Sequence, residues 1–123
     1  MNVKELIAKS LIEIIEEIQS TKQLIIANKY EKIKSVYAQG LFEKKLKGEI
    51  VNSVDGKDKP IFSNQEKRDA EFAVQAERDD DYKSLKEYYS NLNRIKDELY
   101  SNLEILEMVF EAKKLELELS KWQ

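Results

Sequence analysis

The sequence predicts an all-α protein: a long antiparallel helical hairpin, coiled-coil-like, with one short turn-rich or β-hairpin insert. Three observations predict it. Gly and Pro together number only four in 123 residues, and all but one of them fall within residues 48–63. Charged residues make up 37% and hydrophobic residues 41%, the balance of long Glu/Lys-rich helices carrying an apolar stripe. On both sides of the insert, apolar residues recur at steps of three and four, the spacing of one helix face.

The first helix is expected over about residues 2–46. Ile7, Leu11, Ile14 and Ile18 step by four, three and four, and the stripe resumes at Ile26, Tyr30, Ile33, Tyr37 and Leu41. The long step from Ile18 to Ile26 reads as a stutter, which locally unwinds a supercoil. Gly40 is tolerated or marks a bend, at a cost of about 1 kcal/mol relative to Ala.

Residues 48–63 form the insert. Asp55-Gly56 is a tight-turn signal, because Gly accepts positive φ without a Cβ clash. Ile50-Val51 and Val54 before the turn and Ile61-Phe62 after it could pair as a β-hairpin; the alternative is an irregular loop.

The second helix is expected over about residues 64–121. Ser63-Asn-Gln-Glu66 reads as a capping box, in which Ser63 accepts the Glu66 N–H and Glu66 reaches back. Asp79-Asp80-Asp81 interrupts the apolar face. The triplet is a solvated patch on one continuous helix, with or without a kink at 79–81, or the N-cap of a separate helix; continuity is the favoured reading. The expected core and oligomer stripe comprises Ile14, Ile18, Ile33, Leu92, Ile95, Leu99, Leu106 and Phe110. Apolar residues off that stripe, among them Leu24, Tyr88, Tyr100 and Val109, widen it beyond what one partner helix covers. A single domain that assembles into a larger bundle is therefore expected.

Chemistry is sparse. There is no Cys and no His, so thiol nucleophiles, disulfides and the common zinc ligands are missing. No phosphate-loop, dinucleotide or Ser–His–Asp pattern occurs. No calcium-loop pattern surrounds Asp79–Asp81, and the shared face of Glu104, Glu107 and Glu111 reads as solvated rather than metal-binding. No enzyme, cofactor or metal is expected. No apolar run is long enough to span a membrane, so a cytoplasmic protein of a bacterial or archaeal host is expected.

Charge is uneven. Residues 22–47 hold seven Lys against Glu31 and Glu43, a net of +5, whereas residues 64–123 hold ten Lys/Arg against fifteen Asp/Glu, a net of −5. Complementarity between the arms, or between subunits, explains this most simply. The alternative is a strip for single-stranded nucleic acid at Lys44, Lys45, Lys47, Lys57, Lys59 and Arg68, with Tyr30, Tyr37 and Phe42 as stacking groups. Those aromatics lie on or beside the stripe, so a core role is the favoured one for them. The overall charge of −3 opposes non-specific nucleic-acid binding by a lone chain.

From Lys59 onward, Lys-Pro-Ile-Phe-Ser-Asn-Gln-Glu-Lys-Arg68, Asp80-Asp-Tyr-Lys-Ser-Leu85 and the heptad-like run from Leu92 to Leu117 carry a resemblance. This layout is similar to helical-hairpin proteins encoded by phages and mobile elements, and resembles UvsY-like recombination mediators. The resemblance implies an oligomeric adaptor that helps to load a recombinase on single-stranded DNA, with no catalytic residue. The acidity of this chain departs from that pattern. A competing expectation is an inhibitor of a host defence or nucleic-acid enzyme, anti-CRISPR-like, with Glu77, Asp79, Asp80, Asp81, Glu104, Glu107 and Glu111 as its contact face. A structural scaffold is the third.

Overall fold

The structure is a computed structural model and describes residues 1–122. Among the described residues four helices follow in order: α1 (Val3–Ala8), α2 (Leu11–Val51), α3 (Gln65–Arg78) and α4 (Asp80–Ser120). The long helices α2 and α4 pack against each other as a helical hairpin. The chain divides into two compact units: residues 1–31 with the chain from Leu92 onward, and Lys32–Asn91.

In the first unit, Leu6, Ile14, Leu106 and Val109 form a buried cluster flanked by Ile18, Ile105 and Phe110. Ile14 meets Leu106 there, while the Asn28 side chain reaches the Leu92 carbonyl at 3.0 Å. Fourteen residues up α2 thus correspond to fourteen down α4, which is the antiparallel register. In the second unit, Leu46, Ile50, Ala76 and Tyr82 form the core, with Phe42, Phe62 and Phe72 against it. Ser35 there bonds the Leu85 carbonyl at 3.4 Å.

Helix ends depart from the expected ones for identifiable reasons. The expected first helix is two. Lys9 is extended (φ −75°, ψ 152°), and Ser10 caps α2 by accepting the Glu13 N–H at 3.2 Å while its hydroxyl donates to Glu13. Ser10-Leu-Ile-Glu13 has the sequence of a capping box, but Glu13 accepts from the Ser10 hydroxyl. The break shifts the phase of the stripe: Leu6 is buried and Ile7 exposed.

At its other end α2 runs through Gly40 and Gly48 to Val51, so Ile50 and Val51 are helical and cannot form a strand. What remains of the hairpin is one antiparallel bridge between Val54 and Pro60. The turn is held by Asp55, whose Oδ1 accepts the N–H groups of Lys57 and Lys59 at 2.8 and 3.1 Å. Asp58, not Gly56, takes positive φ (59°).

The N-cap of α3 is Asn64, one residue beyond Ser63, with Oδ1 accepting the Lys67 N–H at 2.8 Å. Asn caps as well as Ser, and the one-residue shift puts Ser63 and Glu66 out of box register. Continuity through Asp79 is also corrected. Asp79 (φ −84°, ψ 113°) ends α3, its N–H bonding the Ala76 carbonyl, and its carboxylate caps α4 through the Tyr82 N–H at 2.9 Å. The Asp79 N–H closes α3 and its short carboxylate caps α4, a role Asp fills better than a place in a helix interior.

The seam itself differs most. On α2 the inward positions are Ile14, Ile18, Thr21, Ile25, Asn28, then Lys32, Ser35, Gln39, Phe42 and Leu46, all buried or half-buried. They alternate by four and three without a stutter. On α4 the matching run is Tyr82, Leu85, Tyr89, Leu92, Lys96, Leu99, Leu103, Leu106 and Phe110, equally regular. Among the expected core residues, Ile14, Ile18, Leu92, Leu99, Leu106 and Phe110 do pack inward. Ile33 is 67% exposed and Ile95 is 37% exposed; their seam positions are taken by Lys32 and Lys96. Following apolarity alone moves the register onto the outer face of α2, because the true seam is polar in its middle.

Candidate contact surfaces

The expected nucleic-acid contact residues all lie in the second unit. Lys44 and Lys45 are exposed on the last turns of α2. Lys47 places its ammonium 5.2 Å from the Phe72 ring centroid. Arg68 donates from Nε to the Phe62 carbonyl at 3.1 Å, so it anchors the insert to α3. Lys47 and Arg68 share an open groove of about 230 Å³ with Phe72 and Asp69. Lys57 and Lys59 stand exposed on the insert, which Asp55 holds in shape. The six therefore split: Lys47 and Arg68 meet at one groove and are partly engaged, Lys45 borders an open groove of about 210 Å³ with Glu49, Gln75 and Asp79, and Lys44, Lys57 and Lys59 are exposed.

The aromatics correct the favoured reading of a core role. Tyr30 is 62% and Tyr37 68% exposed. Of the three, Phe42 packs, stacked on Tyr82 at 4.5 Å between ring centroids. Tyr37, Leu41, Lys44 and Lys45 are spaced by four, three and one, so they share a face of α2. Val36 and Ile33 are exposed beside them.

Below that face, Tyr82 is buried and its hydroxyl donates to Glu43 at 2.5 Å. Burial, with the Glu43 carboxylate holding the proton, pushes its pKa up to about 12. The phenol therefore stays neutral and serves as a structural donor.

The acidic residues fall in both units. In the second, Asp79 is occupied with capping, Asp80 and Asp81 sit in the first turn of α4 where its dipole favours them, and Glu77 is exposed. In the first, Glu107 and Glu111 border a groove of about 590 Å³ that Ile15, Ile18 and Phe110 also line. Glu104 is exposed on the same helix. Among the described residues no three His, Cys, Asp or Glu side chains converge on a metal-binding point, and no helix is long and apolar enough to cross a membrane.

The ion pairs Lys9–Glu17, Arg94–Glu98, Lys96–Asp97 and Lys114–Glu111 each join residues of a single arm. The contacts that tie α2 to α4 include the Asn28 and Ser35 hydrogen bonds, Tyr82 with Glu43, and Lys32 at 5.5 Å from the Tyr89 ring.

No family model, curated protein or solved structure matches this chain.

The seam residues Thr21, Asn28 and Ser35 were missed by sequence reasoning. The signal was their seven-residue spacing, in phase with Ile14 and Phe42.

Proposed function

We propose that this chain is a non-enzymatic, oligomeric adaptor, encoded by a phage or mobile element, that acts in DNA recombination or replication in the host cytoplasm. The observation that carries the proposal is the outward face of α2, where Tyr37 stands 68% exposed on the same face as Lys44 and Lys45. An exposed ring with cations about two turns away suits a single strand, which stacks a base on the ring and sets phosphates on the lysines. The resemblance to UvsY-like mediators supports the same assignment.

A titration of fluorescent single-stranded DNA at low salt tests it. Micromolar or tighter binding that weakens with salt is expected. Lys44→Ala with Lys45→Ala should flatten the slope of log K against log salt by roughly 1.4, at about 0.7 for each phosphate no longer neutralised. No binding at micromolar protein contradicts the proposal.

One observation favours a second reading, an inhibitor of a host defence or nucleic-acid enzyme: Glu107 and Glu111 edge the groove of the first unit, where a basic element of an enzyme could seat. A pull-down from host lysate separates the two. A nuclease or defence effector favours the inhibitor, and a recombinase favours the adaptor.

A further inference from the structure

The C-terminal part of α4 carries an apolar stripe that its own unit leaves uncovered. Met108, Ala112, Leu115 and Leu119 step by four, three and four, and all are exposed, Met108 at 66% and Leu119 at 65%, while Trp122, 89% exposed, follows in the turn after α4. These are the alternating core positions of a heptad seam. Glu104, Glu111 and Glu118 recur every seven residues along one edge of it, and Glu116 stands on the other edge. All four are exposed.

Two such stripes facing each other would bring carboxylates against carboxylates, so the stripe is built against pairing with itself. It requires an apolar helix face edged by cations. This chain has one. On the outer face of α2, Ile26 is 66% and Tyr30 62% exposed, and Lys22 and Lys29, seven residues apart, edge them. Lys22 and Glu111 border one groove of the same chain. Glu111 is paired there with Lys114 of its own helix, at a loose 3.8 Å with both side chains largely exposed, so a partner lysine can still reach it.

We infer that the acidic stripe of α4 docks on the basic outer face of α2 of a second copy. In an antiparallel register that sets Ala112 on Ile26 and Met108 on Tyr30 of the second copy, Glu111 meets Lys29 and Glu118 meets Lys22. The contact joins two different surfaces, so it closes as a ring or a reciprocal pair or continues as a filament. It deepens the oligomeric part of the adaptor proposal, and it stands apart from DNA binding because it uses neither Lys44 nor Lys45.

Sedimentation of the full chain without DNA tests the inference. The wild type should self-associate. Glu111→Lys with Glu118→Lys, and separately Lys22→Glu with Lys29→Glu, should each raise the dissociation constant by about tenfold or more, with helix content by circular dichroism unchanged. An equimolar mixture of the two charge-reversed proteins should associate again, since each then offers the surface the other lacks. Met108→Asp with Ala112→Asp, both exposed and outside the buried clusters, and set on Tyr30 and Ile26 in this register, should dissociate the assembly and not be rescued by mixing. A monomeric wild type, charge-reversed proteins that associate like the wild type, or a mixture that stays dissociated would each overturn the contact. Absence of DNA binding with these results intact would instead count against the nucleic-acid role alone.

Discussion

Asn28 is only 6% exposed, and its amide donates to the Leu92 carbonyl, yet its Oδ1 has no hydrogen-bond partner. A buried acceptor left unmade costs about 1–3 kcal/mol. What the residue supplies is register: its donor fits one carbonyl of α4, and a slip by one turn would strand both ends of the amide. Asn28→Leu should therefore raise the thermal midpoint, with a gain of about 1–2 kcal/mol from burial and removal of the orphan. A lower midpoint would show that the amide is stabilising on balance. Tyr82 makes the opposite contribution. Its folded pKa of about 12 lies above the ordinary value of 10.0, so the neutral phenol is favoured by folding. That stabilisation is complete below about pH 10 and is lost as the pH climbs through about 12. Tyr82→Phe should lower stability at neutral pH by about 1–2 kcal/mol. It should also shrink the extra alkaline destabilisation that denaturant titrations of the wild type show between those pH values. Equal alkaline destabilisation of the two proteins would mean that Tyr82 is not its source.

Helices α3 and α4 meet at a single residue, Asp79, which serves both the end of one and the start of the other. Asp79→Ala should cost about 1 kcal/mol, read as a lower melting midpoint. Gly40 is the converse case. It sits inside α2 with negative φ, and an added Cβ would meet nothing within 4 Å. Gly40→Ala should then stabilise the helix by about 0.5–1 kcal/mol, and a destabilised variant would mean the helix needs that glycine. These elements also show what the sequence discloses. The existence and type of α2 and α4 were legible from periodicity. Their ends were less so, because capping candidates abound: Ser63 and Asn64 are adjacent, both cap well, and only the backbone decides between them. Ser10-Leu-Ile-Glu13 was legible but lay inside a stripe that looked unbroken. The seam of α2 was the hardest element. Hydrophobicity marks Ile26, Tyr30, Ile33 and Tyr37, whereas the face that meets α4 carries Thr21, Asn28 and Ser35. Asn28 and Ser35 pack there because their donors reach the carbonyls of α4, a fact of tertiary placement and not of composition.

On the scale of the whole molecule the same inversion governs the proposed function. The middle of the α2 seam is polar while Ile26, Tyr30, Ile33 and Tyr37 lie outside it, so the chain keeps contact surface for others that an ordinary hairpin would bury in its own core. The lysines of the candidate nucleic-acid strip were legible as a charge cluster, but which of them are engaged was not: Arg68 and Lys47 turn to Phe62 and Phe72, leaving Lys44 and Lys45 exposed. The acidic stripe on α4 was visible only as scattered Glu until the exposure of Met108, Leu115 and Leu119 gave it an edge and a centre. The core that remains is small, and its best-buried members, Ile14 and Leu106, have no exposure at all. Leu106→Ala should cost about 2–5 kcal/mol, enough to unfold the first unit if nothing else supports it. On the proposed reading, the outward apolar faces exist to be covered by a second copy, and the light-scattering mass of the full chain across a micromolar concentration series decides whether they are. Masses at multiples of 14.5 kDa are expected, falling towards the single-chain value on dilution. A mass of one chain at every concentration would contradict that reading.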